Sequence, residues 1–185
     1  MKYHKINSNL FIKNRKKFVG MMKPNSVAFF NSNDIYPISA DSTLPFEQHR
    51  DIFYLSGIDQ EESILMLCPN ATDSNYREVL FLKETNEHIA IWEGEKLTKQ
   101  QAFETSGIKT VFWLDEMEKI IKSLVINCEN IYYNHNEHYR ANVEVETREE
   151  RFNKWIENKI PKINKERSNP ILQHLRSIKD NIELD

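Results

Sequence analysis

Residues 41–69 have the sequence DSTLPFEQHRDIFYLSGIDQEESILMLCP and contain the clearest fold signal in the chain. Residues 52–55, IFYL, are aromatic and β-branched, which predicts a strand. Residues 64–68, ILMLC, are apolar throughout and predict a second strand that is covered on both faces. Between the two runs, Gly57 and the polar residues after it allow the chain to reverse direction. We therefore expect the core of a sheet to begin here.

Helix and strand signals alternate along the rest of the chain. Apolar residues recur at helical spacing over residues 8–22, and capping and spacing signals predict further helices at 98–106, 116–126, 152–160 and 171–179. Further strands are expected at 26–31, 78–83, 90–92, 110–114 and 130–134. This order predicts an α/β fold of three layers, in which a mixed sheet of about six strands is flanked by helices.

Length and charge exclude several classes of function. The chain has 185 residues, enough for one domain with a sizeable core. Its 25 Lys and Arg residues and 28 Asp and Glu residues are interspersed, so we expect no basic surface for a nucleic acid. No apolar run approaches the length of a membrane span, and the first residues lack the apolar core of a secretion signal. The sequence therefore predicts a cytoplasmic protein without a membrane or nucleic-acid partner.

Candidate metal and thiol sites are weak. Cys68 and Cys128 are the only cysteines and do not form a C-x-x-C pair, so we expect two ordinary buried thiols in a reducing compartment. The segment His135-Asn136-Glu137-His138 has metal-like composition. It follows a predicted strand, however, where these side chains would not share a face. We predict no catalytic residue and no metal ligand in this chain.

A cluster of charged residues precedes the first apolar run. Its members are Asp41, Glu47, His49, Arg50 and Asp51. Carboxylates beside an imidazole can exchange protons near neutral pH, which would suit catalysis. The alternative is a loop that is stabilised by local hydrogen bonds and by a pair between Arg50 and a carboxylate. We favour the structural alternative.

The order of these motifs resembles the amino-terminal domain of aminopeptidase P, the Xaa-Pro aminopeptidases, within the creatinase and prolidase group. No single motif is specific, but together they span almost the whole chain in the expected order. The matching segments are Asn14-Arg15, the loop 41–50, DIFYLSG at 51–57, the apolar strand that ends at Pro69, LFL at 80–82, WEG at 92–94 and LRSIK at 175–179.

The resemblance implies a two-domain enzyme whose carboxy-terminal half, of pita-bread fold, binds two metal ions, usually manganese. Such enzymes remove the first residue from peptides that have proline second. Residues 1–165 would form the amino-terminal domain, and residues 166–185 would form a linker helix that leads to a catalytic domain outside this chain. We therefore expect this chain to be inactive alone, to control substrate access and to form homo-oligomer contacts.

The resemblance also indicates which residues face the substrate or another subunit. The loop 41–50 would face the catalytic domain, and Trp92 would lie in the core or towards the active-site mouth and subunit contacts. Asp41, Arg50, Tyr54 and Trp92 are the resulting candidates for substrate-proximal or interface residues. Two alternatives remain open, namely a non-enzymatic peptide-binding or protein-binding module of the same fold, and the amino-terminal domain of a creatinase or prolidase.

Overall fold

A six-stranded mixed sheet with helices on both faces forms the centre of the chain. The computed structural model describes residues 6–40, 42–86, 88, 90–91, 94–135 and 146–178. Its strands are β1 (Ser26–Asn31), β2 (Pro37–Ser39), β3 (Ser42–Thr43), β4 (Ile64–Leu67), β5 (Glu78–Leu82), β6 (Thr110–Trp113), β7 (Asn130–Tyr133) and β8 (Asn164–Arg167). The order in the large sheet is β6-β5-β4-β1-β7-β8, and β2 pairs separately with β3. The predicted architecture is confirmed.

The directions of the strands decide which strand ends lie together along each edge of the sheet. β1 is antiparallel to β4, with Phe29 opposite Met66, and parallel to β7, with Val27 opposite Ile131. β7 is parallel to β8, and β5 is antiparallel to β4 and parallel to β6. β1, β7 and β8 therefore end at the same edge, where β4 begins.

The helices form a layer on each face of the sheet. They are α1 (Ser8–Val19), α2 (Arg50–Ser56), α3 (Lys99–Ser106), α4 (Met117–Val125), α5 (Arg148–Lys159) and α6 (Asn169–Ser177). α1, α2, α3 and α6 contribute to one buried cluster, and α4 and α5 contribute to the other. Within β1, Ala28 and Phe30 face the first cluster while Val27 and Phe29 face the second. Burial on both faces explains why the central strands are continuously apolar.

No helix in the described part of the chain combines the length and the apolar character that crossing a bilayer requires. The longest helices that bound the sheet, α1 and α5, each have 12 residues. Their polar faces are exposed, as expected for helices that cover a sheet.

Residues 52–55 are helical, so the prediction of a strand there is wrong. They lie within α2, which His49 caps by accepting the Asp51 backbone N–H at Nδ1, 3.3 Å away. Gly57, at φ +70°, ends the helix. Ile52 and Leu55 are both fully buried, because their spacing also fits one face of a helix. A four-residue apolar run cannot distinguish the helical period of about 3.6 residues from the strand period of about 2, and the capping residues decide in favour of the helix.

The strand predicted at residues 90–92 is also wrong over its described part. Ala90 and Ile91 are helical, and Ala90 N–H donates to the Asn86 carbonyl at 3.0 Å. Ile91 is 75% exposed, which a core strand would not allow. Trp92 lies outside the described residues.

Two elements were not predicted from the sequence. β8 has the charged sequence NKER, and it forms because the outer edge of β7 offers unpaired backbone groups. Residues 32–42 were expected to form a loop, but most of the β2–β3 hairpin lies within them. Both elements are mostly exposed, so neither carries a hydrophobic pattern.

Asn14 and Arg15 fix the carboxyl end of α2. The Asn14 side chain donates to the Tyr54 carbonyl at 3.0 Å, and Arg15, fully buried, donates to the Leu55 carbonyl at 2.8 Å. Arg15 also donates to the Ser106 carbonyl at the end of α3, at 3.0 Å, and to Glu78 at 2.9 Å. The last carbonyls of two helices are therefore satisfied by one buried guanidinium.

The predicted boundary between the amino-terminal domain, residues 1–165, and the linker helix, residues 166–185, falls inside β8. β8 pairs with β7 along its full length, and α6 buries Leu172 and Leu175 against the first cluster. Residues 164–178 therefore pack onto the same sheet as the residues before them. The role of residues 166–185 as a linker to a further domain stays a prediction.

Candidate functional site

A groove of about 600 Å³ lies at the edge where β1 and β7 end. We call it the polar groove. The segment after β1, the start of α2, the residues after β7 and the starts of α5 and α6 form its walls. In open α/β sheets this edge is the usual place for a ligand. Its lining includes Asp34, Glu47, His49, Arg50, Asp51, Asn134, Arg148 and Glu149.

Asp51 connects three elements in the wall of the polar groove. Its side chain is almost fully buried, with 4% of the residue exposed. One carboxylate oxygen accepts a hydrogen bond from Asn134, which follows β7, and the other pairs with Arg176 on α6. The guanidinium bound to Asp51 thus comes from Arg176 and not from the neighbouring Arg50. With both oxygens engaged, Asp51 fits the structural alternative for the charged cluster better than the catalytic one.

His49 and Glu149 meet in the floor of the polar groove without forming an ion pair. His49 Nε2 lies 3.9 Å from Glu149 Oε2. Burial lowers the pKa of His49, while burial, together with the nearby Asp51 charge, raises the pKa of Glu149 to about 8. Both groups are therefore mainly uncharged at neutral pH. Among the described residues, Glu149 Oε1 has no hydrogen-bond partner although it is buried.

Asp34 holds the segment after β1 against the start of α5. Its carboxylate accepts the Arg148 backbone N–H at 2.8 Å and pairs with the Arg151 guanidinium at 2.7 Å. A carboxylate at the first turn of a helix is favoured by the helix dipole. Burial lowers the pKa of the Arg148 guanidinium, whose side chain lines the groove. Charges of both signs therefore surround an uncharged floor.

A second groove, of about 610 Å³, lies between α1, α2 and α6. We call it the apolar groove. Its lining includes Leu10, Phe11, Phe53, Tyr54 and Leu175. The Arg176 guanidinium carbon lies 6.0 Å from the centre of the Tyr54 ring, within the range of a cation–π contact. Arg50 lines both grooves and so forms part of the ridge between them.

The structure places two of the four predicted site residues. Arg50 is exposed on the ridge, and Tyr54, one helical turn later on α2, lines the apolar groove. Asp41 and Trp92 lie outside the described residues. The roles of all four as substrate-proximal or interface residues stay predictions.

Several groups of the polar groove, Arg148 among them, were not found from the sequence. Asp34, Asn134 and Glu149 come from segments that are far apart in the chain and meet only because β1 and β7 pair in parallel. The polar residues within three positions of the end of each of these strands were the available signal for Asp34 and Asn134. Glu149 carried no such signal, because a glutamate in the first turn of a capped helix is ordinary.

The described residues do not fit a metal centre. They contain no group of three or more His, Cys, Asp and Glu side chains that could hold a metal ion. The nearest approach to one is His49, Asp51 and Glu149, where Asp51 is already bound on both oxygens. His135 is exposed with its ring against Tyr133, 4.9 Å between centres, and Glu137 and His138 lie outside the described residues. The absence of metal ligands from the whole chain stays a prediction.

Sequence comparison gives consistent matches to one family. The family model described as aminopeptidase P, N-terminal domain, matches residues 11–132. The Xaa-Pro aminopeptidase of Escherichia coli K12 is 27% identical over 144 residues, which are 78% of this chain and 32% of that protein. Intermediate cleaving peptidase 55 of Schizosaccharomyces pombe is 22% identical over 175 residues, which are 92% of this chain and 35% of that protein. The chain thus spans about a third of the length of these relatives.

Solved structures share the fold. A Bacillus anthracis protein assigned as an aminopeptidase P superposes with a TM-score of 0.83 at 25% identity, over 97% of this chain and 42% of that chain. Aminopeptidase P from E. coli, in a low-pH form, gives a TM-score of 0.79 at 21% identity, over 98% of this chain and 41% of that chain.

Proposed function

Because this chain belongs to the family of aminopeptidase P N-terminal domains, we propose that it is the amino-terminal domain of a longer Xaa-Pro aminopeptidase. Such a peptidase releases the N-terminal residue ahead of proline. The similarity to an E. coli Xaa-Pro aminopeptidase, of which this chain covers 32%, supports the proposal. The chain performs no chemical step in it. Its role is to narrow the access of peptides to a catalytic domain and to contribute contacts between subunits.

The contact between Arg176 and Asp51 is the observation that best supports a role in access. Arg176 lies on α6, the last described helix, and its partner Asp51 lies in the wall of the polar groove. A catalytic domain that follows α6 would therefore begin beside this groove. Peptides that approach such a domain would pass the rim that Asp34, Glu47 and Arg50 form.

The charge pattern of the polar groove suits a peptide end. A peptide carries an ammonium group at one end, a carboxylate at the other and amide groups between them. The rim offers Glu47 to a cation and Arg50 and Arg148 to an anion, around a floor that is largely uncharged at neutral pH. A volume of about 600 Å³ accommodates a short peptide segment and not a folded chain.

Two manganese ions belong to this proposal as cofactors of the longer protein. They would supply the polarisation and the activated water that peptide hydrolysis needs. The described residues of this chain do not fit such a centre, so the metal ions would be held by the catalytic domain. The cytoplasmic location expected from the sequence is retained in the proposal.

The β2–β3 hairpin is our candidate for the contact between subunits. Ile35, Tyr36, Ile38 and Leu44 are between 42% and 60% exposed there. Exposed apolar side chains grouped on one protruding element indicate a surface that another protein covers. The hairpin is the next element after β1 in the chain, and Tyr36, just before it, also lines the polar groove. A second subunit bound there would therefore narrow the groove further.

A bulky substitution in the polar groove tests the role in access. Asn33 is an exposed lining residue whose side chain donates to the Glu47 carbonyl at 3.0 Å. In the longer protein, Asn33→Trp should lower kcat/KM for a long Xaa-Pro peptide by about tenfold, because the indole ring narrows the path that the peptide takes. This loss corresponds to about 1.4 kcal/mol of activation free energy, and a short peptide should lose much less. Steady-state kinetics with both peptides measures this.

Asn127→Trp is the matched control, because Asn127 is exposed at the opposite edge of the sheet. It should leave both kcat/KM values unchanged. If Asn33→Trp lowers kcat/KM for the long peptide no more than Asn127→Trp does, and no more than it lowers kcat/KM for the short peptide, the polar groove does not control access.

A further inference from the structure

Cys68 and Cys128 lie next to each other although they are far apart in the sequence. Their sulfur atoms are 3.9 Å apart. Cys68 directly follows β4 and is buried, while Cys128 lies two residues before β7 and is partly exposed. We propose that this pair is a site of reversible oxidation, at which a hydroperoxide converts the two thiols into an intramolecular disulfide.

The sheet holds the two cysteines in position. β4 and β7 flank β1, and the end of β4 and the start of β7 meet beside the first residues of β1. Cys68 N–H donates to the Arg77 carbonyl and Cys128 N–H donates to the Val125 carbonyl, each at 2.9 Å. A disulfide needs the two sulfur atoms to approach by about 2 Å more.

The local chemistry favours attack within the pair. The Cys128 thiol bonds to Cys68, and this bond lowers the pKa of Cys68 and raises that of Cys128. One thiolate of the pair attacks one oxygen of the hydroperoxide, the O–O bond breaks, and a sulfenic acid forms with release of water or an alcohol. The partner sulfur then attacks the sulfur of the sulfenic acid and expels its oxygen as water. The two thiols lose two electrons and two protons, and the hydroperoxide is reduced.

The disulfide would link β4 to β7 across the start of β1. It would close a large loop that contains β5, β6 and α4, and so restrict the unfolded chain. The cysteines lie at the edge of the sheet opposite the polar groove. Oxidation should therefore stabilise the fold and leave the polar groove open.

The test is to treat the folded chain with hydrogen peroxide and follow mass, free thiols and thermal unfolding. We expect loss of two hydrogen atoms, disappearance of both free thiols and one peptide pair joined through Cys68 and Cys128. The Tm should rise by roughly 5–10 °C. Dithiothreitol should reverse all of these changes.

Cys128→Ser and Cys128→Ala are the control variants, because Cys128 is the less buried partner and either change keeps Cys68 intact. Neither should lose two hydrogen atoms or gain stability with peroxide. Three results for the unaltered chain would overturn the proposal: two thiols that still react with an alkylating reagent, separate oxidation of each sulfur to a sulfinic acid, or disulfides between chains.

Discussion

The buried position of Glu149 gives its carboxyl group properties unlike those of an exposed glutamate. It is 8% exposed, it lies 3.9 Å from a histidine that burial also keeps neutral, and the Asp51 charge is nearby. Its pKa is raised from the ordinary 4.5 to about 8. The folded chain therefore binds the Glu149 proton more tightly than the unfolded chain does.

This shift predicts a loss of stability with rising pH. The contribution of Glu149 is fully present below pH 4.5 and is lost as the pH rises through about 8. Above pH 6.5 the His49 imidazole is mostly neutral in both states, and its remaining titration opposes the slope only weakly. Between pH 6.5 and 8 Glu149 should therefore lower the free energy of unfolding by about 2 kcal/mol. Glu149→Gln, which imitates the protonated acid, should remove this slope. Urea unfolding at several pH values measures it.

Glu104→Gln, an exposed glutamate on α3, is the matched control and should keep the slope of the unaltered chain. Equal slopes for the unaltered chain and Glu149→Gln would show that Glu149 titrates normally.

At the scale of residues, the sequence predicted what local contacts decide. The helix cap at Thr98 and the glycine stop at Gly107 are both present, because each depends on neighbours within four residues. The pairing of Asp51 with Arg176 could not be predicted, since it depends on how α6 packs beside α2. Arg50, which is adjacent to Asp51 in the sequence, was expected to pair with a carboxylate, but it lies on the ridge between the two grooves.

At the scale of elements, α2 shows why a short apolar run misleads. IFYL has strand composition, but the capping His49 and the positive-φ Gly57 bound it, and Asn14 and Arg15 bind its last carbonyls. The continuously apolar strands β1, β4 and β5 were predictable because burial on both faces leaves an unbroken hydrophobic run. β8 was not, since an exposed edge strand needs only backbone partners.

Gly57 offers a test of how tightly α2 packs on α1. Gly57 and Gly94 both have positive φ, but a Cβ at Gly57 would overlap the Phe11 ring, whereas a Cβ at Gly94 would meet open space. Gly94→Ala should cost about 1 kcal/mol from backbone strain alone, and Gly57→Ala about 3 kcal/mol or more, because the ring must also move. Chemical denaturation of both variants measures the difference. Equal losses would mean that α1 yields freely beside α2.

At the scale of the whole molecule, the fold and the family could be predicted because matching motifs occur in order along most of the chain. Residues 11–132 match the family model, and the six-stranded mixed sheet is present. The polar groove could not be predicted, because its walls come from five segments that only the folded chain brings together.

The exposed hairpin makes assembly testable in the longer protein. Ile38, on β2, is 60% exposed, and Ile126, after α4 at the opposite edge, is 80% exposed. Ile38→Lys should shift the oligomer to smaller species in sedimentation velocity, because a charge would be buried in the contact. Ile126→Lys should not. A shift with Ile126→Lys alone would place the subunit contact elsewhere.

Peptide hydrolysis tests whether catalysis requires a domain outside this chain. This chain and the longer protein that contains it are each incubated with an Xaa-Pro peptide and manganese, and release of the first residue is followed. We expect release by the longer protein only, since the described residues of the chain do not fit a metal centre. Manganese-dependent release by this chain alone, at a rate comparable to that of the longer protein, would contradict the proposed function.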